Sequence, residues 1–344
     1  MKIAIIGAGW YGCHIASILK SYAVDITIFE QEDDIFKHAS SKNQNRLHLG
    51  FHYPRSSITR LQSKQGFKNF KKEYDFCCSP ISKNFYAVDN QRSLIDFETF
   101  KIIMEHDLDF KIKDNTDRLQ NLSGLINTKE EVINFDIAIE HFKELLSGDL
   151  RLNCKIENAD IQNCDDYVQI KDENFDYLIN CTWATFRNNF NIDAFYESCI
   201  VLLYKTSHHE NDFAITIMDG EFVSLFPYTE NGVYTLTSVK NTVLKRDKSY
   251  KKIIDFQNNL SDDFIQEIIK KMEAEMIYYY PDFLIDFEFK DYFLTTKSKL
   301  NVQTDSREVV VKHNNREIFV FSGKIDTIFE AEKEILKILG LKNE

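Results

Sequence analysis

Ile3, Ala4, Ile5 and Ile6 form an unbroken apolar run with a glycine turn behind it, the pattern of a strand buried on both faces of a parallel sheet. A helix is predicted from about Tyr11 to Ser21, and Ile26 to Phe29 reads as a second buried strand ending in Glu30. Residues 31–45 are polar without periodicity and read as a loop. The pattern then alternates. Arg46, His48 and His52 are interleaved with Leu47, Leu49 and Phe51, so an extended backbone sets the polar side chains on one face. Pro54 ends that segment, and Ser56 or Ser57 can cap a helix from about Ile58 to Tyr74.

Further along, Phe85 to Val88 reads as a short strand, Asp96 to His106 as a helix, and Gly124 to Asn134 alternates weakly. Asp136 to Leu146 is amphipathic, with Ile137, Ile139, Phe142, Leu145 and Leu146 apolar, and Gly148 terminates it. Leu150 to Ile161, Tyr167 to Ile170 and Phe175 to Cys181 are strand-like. The last of these breaks into Asn180-Cys-Thr-Trp183-Ala, which suits a sheet whose backbone passes close to a ligand. From about Tyr196 to Val243 short strands separated by polar turns, including Asp219-Gly220, form an antiparallel meander. An amphipathic helix over Asp262 to Tyr279 closes it, and the aromatics at 278–280 are assigned to core. Glu317 to Phe321 is a late strand leading through Ser322-Gly-Lys-Ile-Asp-Thr327 into a helix that runs to Leu339.

With 344 residues, 43% of them hydrophobic, the chain has material for about two domains. A net charge of -12 argues against a nucleic-acid partner or an anionic membrane surface, since both require a basic face, and leaves a small-molecule substrate as the expected partner. No signal-peptide pattern and no spanning apolar run is visible, so a cytoplasmic location is expected. The seven cysteines lack C-x-x-C spacing and are read as reduced thiols, with no metal site. Oligomeric state is not legible.

The chemistry concentrates at two places. Gly7-Ala-Gly-Trp-Tyr-Gly12 follows the first strand and opens the first helix, and Glu30 stands 18 residues beyond Gly12. Gly7 permits the tight turn, Gly9 lets a pyrophosphate approach the backbone, and Gly12 lets helix pack on strand. The phosphates meet the helix N-terminus, and the Glu30 carboxylate accepts the ribose hydroxyls, which argues against a 2′-phosphate. Ser40, Ser41 and Asn43 are candidate phosphate-facing donors. This fingerprint fits FAD and NAD alike. The second place is Arg46 to Arg55, where Arg46, His48, His52, Tyr53 and Arg55 could bind a carboxylate or phosphate or face a flavin ring. The competing reading is a solvated loop with satisfied histidines.

Four stretches resemble the D-amino-acid-oxidase (DAO) superfamily of FAD enzymes, especially L-2-hydroxyglutarate oxidase and flavin glycerol-3-phosphate dehydrogenase. They are Gly7 to Glu30; Ser40 to Pro54, similar to S-x-x-N-S-x-V-x-H-x-G-x-Y-Y with His48, Gly50 and Tyr53 on matching positions; Ile179-Asn-Cys-Thr-Trp-Ala, similar to N-A-x-G-x-W; and Phe321 to Ile328, similar to G-G-K-x-T-T-Y. Thr182 stands where the family has glycine, and Ser322 and Asp326 replace a glycine and a threonine. The resemblance implies an α/β fold in which a Rossmann-like FAD-binding domain (residues 1–80, 125–190 and 300–344) is interleaved with an antiparallel-sheet α+β substrate domain (81–124 and 191–299). It further implies a C-terminal turn, Gly323, Lys324, Ile325, Asp326 and Thr327, near the pyrimidine end of the flavin, where a helix N-terminus stabilises the reduced ring's charge.

The remaining cofactor candidates are Trp10, Tyr11, Gln31, Ile156, Thr182 and Trp183. His48, Arg46 and Tyr53 are the catalytic candidates, and His52, Arg55, Tyr228, Lys240 and Arg307 the substrate-binding ones. The implied activity is hydride removal from a C–H next to an amine or hydroxyl of a small polar substrate such as an amino acid, 2-hydroxy acid or sugar derivative. The alternatives are a non-redox flavin isomerase of the UDP-galactopyranose-mutase kind and a nucleotide-fold binding module without turnover.

Overall fold

A computed structural model describes residues 1–114, 118–187, 190–207, 212–301, 309–321 and 323–341. Arg307 and Ser322 lie outside the described residues. The chain divides into two compact units, one of Met1–Ser41, Phe135–Phe195 and Ser298–Glu344, the other of Lys42–Asn134 and Tyr196–Lys297.

The first unit is built on a six-stranded sheet in the order Val310–Asn314, Glu317–Phe321, Tyr177–Asn180, Lys2–Ile6, Asp25–Phe29, Leu150–Arg151. All neighbours are parallel except the first pair. The apolar run Ile3–Ile6 occupies the interior of this sheet, with Ile3, Ala4 and Ile5 wholly buried, because neighbours pair along both of its edges. The helix Trp10–Lys20 follows it, and the helices Phe135–Leu146 and Ile328–Ile338 each bury one apolar stripe. A small antiparallel sheet of Ile161–Asn163, Val168–Ile170 and Glu173–Phe175 covers the first strand through Ala4, Phe29, Ile156, Val168 and Phe175. Ile156, proposed from sequence as a cofactor contact, is therefore a member of that core.

The second unit carries a nine-stranded sheet, with the path Val243–Asp247, Ala194–Lys205, Val233–Ser238, Val223–Pro227, Phe213–Met218, Lys83–Asp89, Leu122–Thr128, Lys111–Lys113 and with Glu288–Leu300 paired to Ala194–Lys205. Alternation sorts its two faces. Phe85, Ala87, Ile215, Ile217 and Leu225 meet Ile265, Ile268, Met272 and Met276 of the helix Asp262–Tyr279. Tyr86 and Val88 point the other way, onto Phe51 and onto Phe100 and Met104 of the helix Phe97–Asp107. Tyr279 and Tyr280 are buried core residues, as assigned from sequence.

Several differences from the sequence reading have a physical cause. Residues 42–80 and 125–134 lie in the second unit rather than the first, because Arg46–Leu47 and Cys78–Pro80 both pair with Glu131–Ile133 and so are tied to each other. The stretch 150–161 forms a strand at Leu150–Arg151 and again only from Ile161, and Asn153 at φ +52° breaks it. The strand Glu288–Leu300 and the helix Tyr250–Asn258 were not expected; in the strand Lys290, Asp291, Lys297 and Lys299 interrupt the alternation. None of the seven cysteines, all of them described, is in a disulfide, and among the described residues no helix is long and apolar enough to cross a membrane.

Candidate active site

The first unit brings its glycine turn to the ends of three adjacent strands. The Gly7 N–H donates to Phe29 O at 2.9 Å and the Cys181 N–H to Ile6 O at 2.9 Å. Gly7 sits at φ +98°, a region that a side chain disfavours. Gly9, in extended conformation, precedes the helix without a capping side chain of its own, and the Ser40 hydroxyl takes that place by accepting from the Trp10 N–H at 3.0 Å. The next N–H groups of that first turn have no carbonyl partner within the helix and point where an anion binds. Glu30, nearly buried, accepts from the Ala8 N–H at 2.7 Å and the Glu32 N–H at 3.0 Å, which holds its carboxylate beside the turn with lone pairs to spare.

Behind the turn, Thr182 folds back on Asn180 through its N–H (3.0 Å) and hydroxyl (2.7 Å), and Trp183 and Ala184 follow at φ +39° and +66°. The Trp183 indole N–H is buried without a hydrogen-bond partner, an orphaned donor in the same unit as the anion cradle. A cradle, a fixed acceptor for ribose hydroxyls and a donor awaiting a polar atom fit an adenine dinucleotide. Other predicted contacts also have partners within the protein. The Trp10 ring packs on Phe36 and Phe142, Ser41 donates to Phe36 O at 2.6 Å, Gln31 pairs with Glu32 and His38 on the surface, and Asn43 accepts from the Asn45 N–H at 2.5 Å.

The C-terminal return is anchored to the first helix. After Glu317–Phe321, the exposed Gly323 and the short turn Ile325–Thr327 lead into Ile328–Ile338, and Asp326 and Thr327 are buried. The Tyr11 hydroxyl donates to Lys324 O at 2.7 Å and lies 2.8 Å from the Thr327 hydroxyl, while His14 meets Glu332 at 3.1 Å. Tyr11→Phe is expected to cost about 1 kcal/mol of stability, the net value of such hydrogen bonds. A lowered melting temperature with flavin still bound checks it.

In the second unit the register of three strands builds a polar patch. Thr216 is paired with Tyr86 on one side and with Ser224 on the other, so all three side chains share one face. The Arg46–Leu47 strand delivers a guanidinium onto that patch. Its Nη1 donates to the Tyr86 hydroxyl (2.9 Å) and to Thr216 Oγ1 (2.8 Å), its Nη2 donates to Ser224 Oγ (2.8 Å), and the Phe226 ring lies 4.0 Å beneath it. Arg46 is 4% exposed, so this arginine is a buried partner rather than an open clamp.

Its counter-charge is Glu130, wholly buried 3.7 Å from Nη1, whose Oε1 accepts from the Leu49 N–H (2.8 Å) and whose Oε2 accepts from the Tyr86 hydroxyl (2.6 Å). Burial pushes the Glu130 carboxyl up, while Arg46, Tyr86 and the Leu49 N–H draw it back; burial also holds the Tyr86 phenol well above its usual value. Over this pair stand the half-buried His48 and His52, edge to face with centroids 4.7 Å apart. His52 Nδ1 lies 2.7 Å from the Tyr86 hydroxyl and His48 Nδ1 lies 4.0 Å from Glu130 Oε1. His48, His52 and Glu130 can bring one ligand atom each within 4.8 Å of one another, but the guanidinium 3.7 Å from Glu130 opposes a cation there.

Tyr53 lies beside it, its ring 6.3 Å from that of His52. Arg55 is exposed and paired with Asp219. Tyr228 packs 6.0 Å from Phe293, and Lys240 is exposed on the turn after Val233–Ser238. Glu130 and Tyr86 were missed from sequence: Glu130 sits in a Lys-Glu-Glu run that reads as solvated, and Tyr86 in an apolar strand. The visible signal was a tyrosine in a short buried strand, whose hydroxyl needs a partner.

Comparison with known proteins gives the family. A relative from Fusarium mangiferae, the FAD-dependent monooxygenase FPY4, is 35% identical over 98% of this chain and 91% of its own length. The FAD-dependent monooxygenase kojA of Aspergillus flavus is 25% identical over 99% of this chain and 86% of its own. Among solved structures, iminodiacetate oxidase from Chelativorans sp. BNC1 superposes with a TM-score of 0.74 at 9% identity, covering 99% of this chain and 96% of that one. FAD-bound L-alpha-glycerophosphate oxidase from Mycoplasma pneumoniae gives 0.71 at 15% identity, covering 99% and 95%. The family model of FAD dependent oxidoreductases (DAO) matches residues 2–293, and the chain belongs to that family as an FAD-dependent oxidoreductase.

Proposed function

We propose that the enzyme oxidises a C–H next to an amine or hydroxyl of a small polar substrate, leaving an imine or carbonyl, with the His48–His52 pair receiving the proton released from nitrogen or oxygen. FAD, when bound, supplies the two-electron acceptor. The single observation that carries the reading is the edge-to-face pair of imidazoles over a buried, hydrogen-bonded Glu130–Tyr86–Arg46 network, an acid–base array in a family of flavin oxidoreductases. Tyr53 and Arg55 follow that pair in sequence and are proposed to shape the substrate's binding.

Anaerobic mixing with amino acids, 2-hydroxy acids and sugar derivatives tests it. A member of one class should bleach the flavin, and His48→Asn should keep flavin and melting temperature while slowing that bleaching roughly 10²-fold or more. A second reading, oxygen insertion, is favoured by the names of two relatives, both monooxygenases. Turnover under ¹⁸O₂ separates the two. Dehydrogenation leaves the label out of the organic product, and incorporation of one labelled atom overturns the first reading in favour of the second.

A further inference from the structure

The Tyr86 hydroxyl has one proton to donate and two lone pairs with which to accept, and three groups bear on it. Arg46 Nη1, always a donor, takes one lone pair at 2.9 Å. The Glu130 carboxylate at 2.6 Å can only accept while ionised, so it takes the proton. His52 Nδ1 at 2.7 Å is left with the second lone pair and must be the N–H donor. A neutral imidazole carries one hydrogen, so its Nε2 is then the acceptor.

We propose that Glu130, acting through Tyr86, fixes His52 in the tautomer with hydrogen on Nδ1, so that His52 Nε2 is the atom that takes the proton from the substrate's amine or hydroxyl. This rests on the oxidation reading above and assigns the proton acceptor within the histidine pair. When the substrate's N–H or O–H bond breaks, its electron pair forms the imine or carbonyl π bond, its proton bonds to Nε2, and the hydride equivalent leaves the carbon for the flavin. The resulting imidazolium keeps its Nδ1–H on Tyr86, whose hydroxyl stays on a carboxylate. Glu130 and Tyr86 are positioning residues, since they act through His52.

Glu130→Gln reverses the logic. The Leu49 N–H at 2.8 Å requires an oxygen at that position, so the new amide must turn its NH₂ toward Tyr86. With Arg46 and the amide both donating, the Tyr86 proton has to go to His52 Nδ1, and Nε2 acquires the hydrogen. The test is long-range ¹H–¹⁵N correlation on ¹⁵N-histidine-labelled FAD holoenzyme, with His52 assigned from the signal lost in His52→Gln. Wild type should show Nδ1–H and Glu130→Gln should show Nε2–H. Substrate-driven flavin reduction in Glu130→Gln should slow about 10²-fold with substrate affinity unchanged. Because Glu130→Gln also removes the counter-charge of Arg46, Tyr86→Phe is the second variant, and in it His52 should lose its Nδ1–H pattern. An Nε2–H signal in wild type, or the same tautomer in wild type and both variants, overturns the proposal. Absence of substrate-driven bleaching in wild type, with the tautomers as stated, removes the oxidation reading instead.

Discussion

Gly12→Val is expected to yield a protein that folds poorly and carries no flavin. An atom at the Cβ position of Gly12 would lie 1.9 Å from the carbonyl oxygen of Gly7 and 3.1 Å from its carbon, and both belong to backbone that cannot swing aside. The helix Trp10–Lys20 would have to leave the strand Lys2–Ile6, taking with it the first-turn N–H groups that define the anion cradle. Overpacking of this kind costs about 1–3 kcal/mol or more, before the loss of bound cofactor is added. Gly148→Ala is the control, since nothing lies within 4 Å of its Cβ position and it should retain both flavin and melting temperature. Denaturing each purified protein and quantifying released FAD reads the effect. Stoichiometric FAD in Gly12→Val would show that the cofactor does not depend on this helix contact.

Arg46→Met should destabilise the enzyme by about 3–5 kcal/mol, the cost of leaving a buried carboxylate without its cation. The sequence alone assigns Arg46 to a substrate anion and so expects the variant to keep its fold; the guanidinium's burial against Thr216, Ser224 and Tyr86 changes that expectation. Arg46→Lys should recover only part of the loss, because an ammonium cannot reproduce the fork that reaches three hydroxyls. The loss should also depend on pH. Glu130 already has a raised carboxyl in the folded protein, and removing Arg46 removes the main charge holding it down. A carboxyl raised on folding contributes stability that is fully present below its unfolded value and is lost as pH rises through its folded value. The variant's deficit should therefore grow from mildly acidic toward neutral and alkaline pH, with Tyr86, His48 and His52 the other titratable groups around the carboxylate. Denaturant unfolding followed at several pH values measures this, and an unchanged midpoint would place Arg46 outside the stabilising network.

The nucleotide half was legible because its requirements are local. The run Ile3–Ile6, the three glycines and Glu30 at a strand end fall within thirty residues, and steric demands on neighbouring backbone write themselves into residue type. The helices over Ser57–Tyr74, Phe97–Asp107 and Asp262–Tyr279 were legible for the same reason, with Ser56, Asp96 and Ser261 each accepting from a first-turn N–H. The cluster Arg46, His48 and His52 was visible as a concentration of functional side chains, but its organisation was not.

That organisation belongs to the tertiary structure. Tyr86, Thr216 and Ser224 come from three strands whose register makes them neighbours, and Glu130 arrives beside them because Glu131–Ile133 pairs with Arg46–Leu47. No local pattern marks such residues, since each satisfies the alternation of its own strand and acquires its role only from what packs opposite it. The sequence by itself therefore determined the buried strands, the glycine turn and the acid at the end of the second strand, which depend on contacts within one βαβ segment. Only the tertiary structure decided that Arg46 is a buried counter-ion and that His52 is held by a tyrosine and a glutamate, because desolvation and hydrogen-bond partnership are set by groups 34 to 178 residues away.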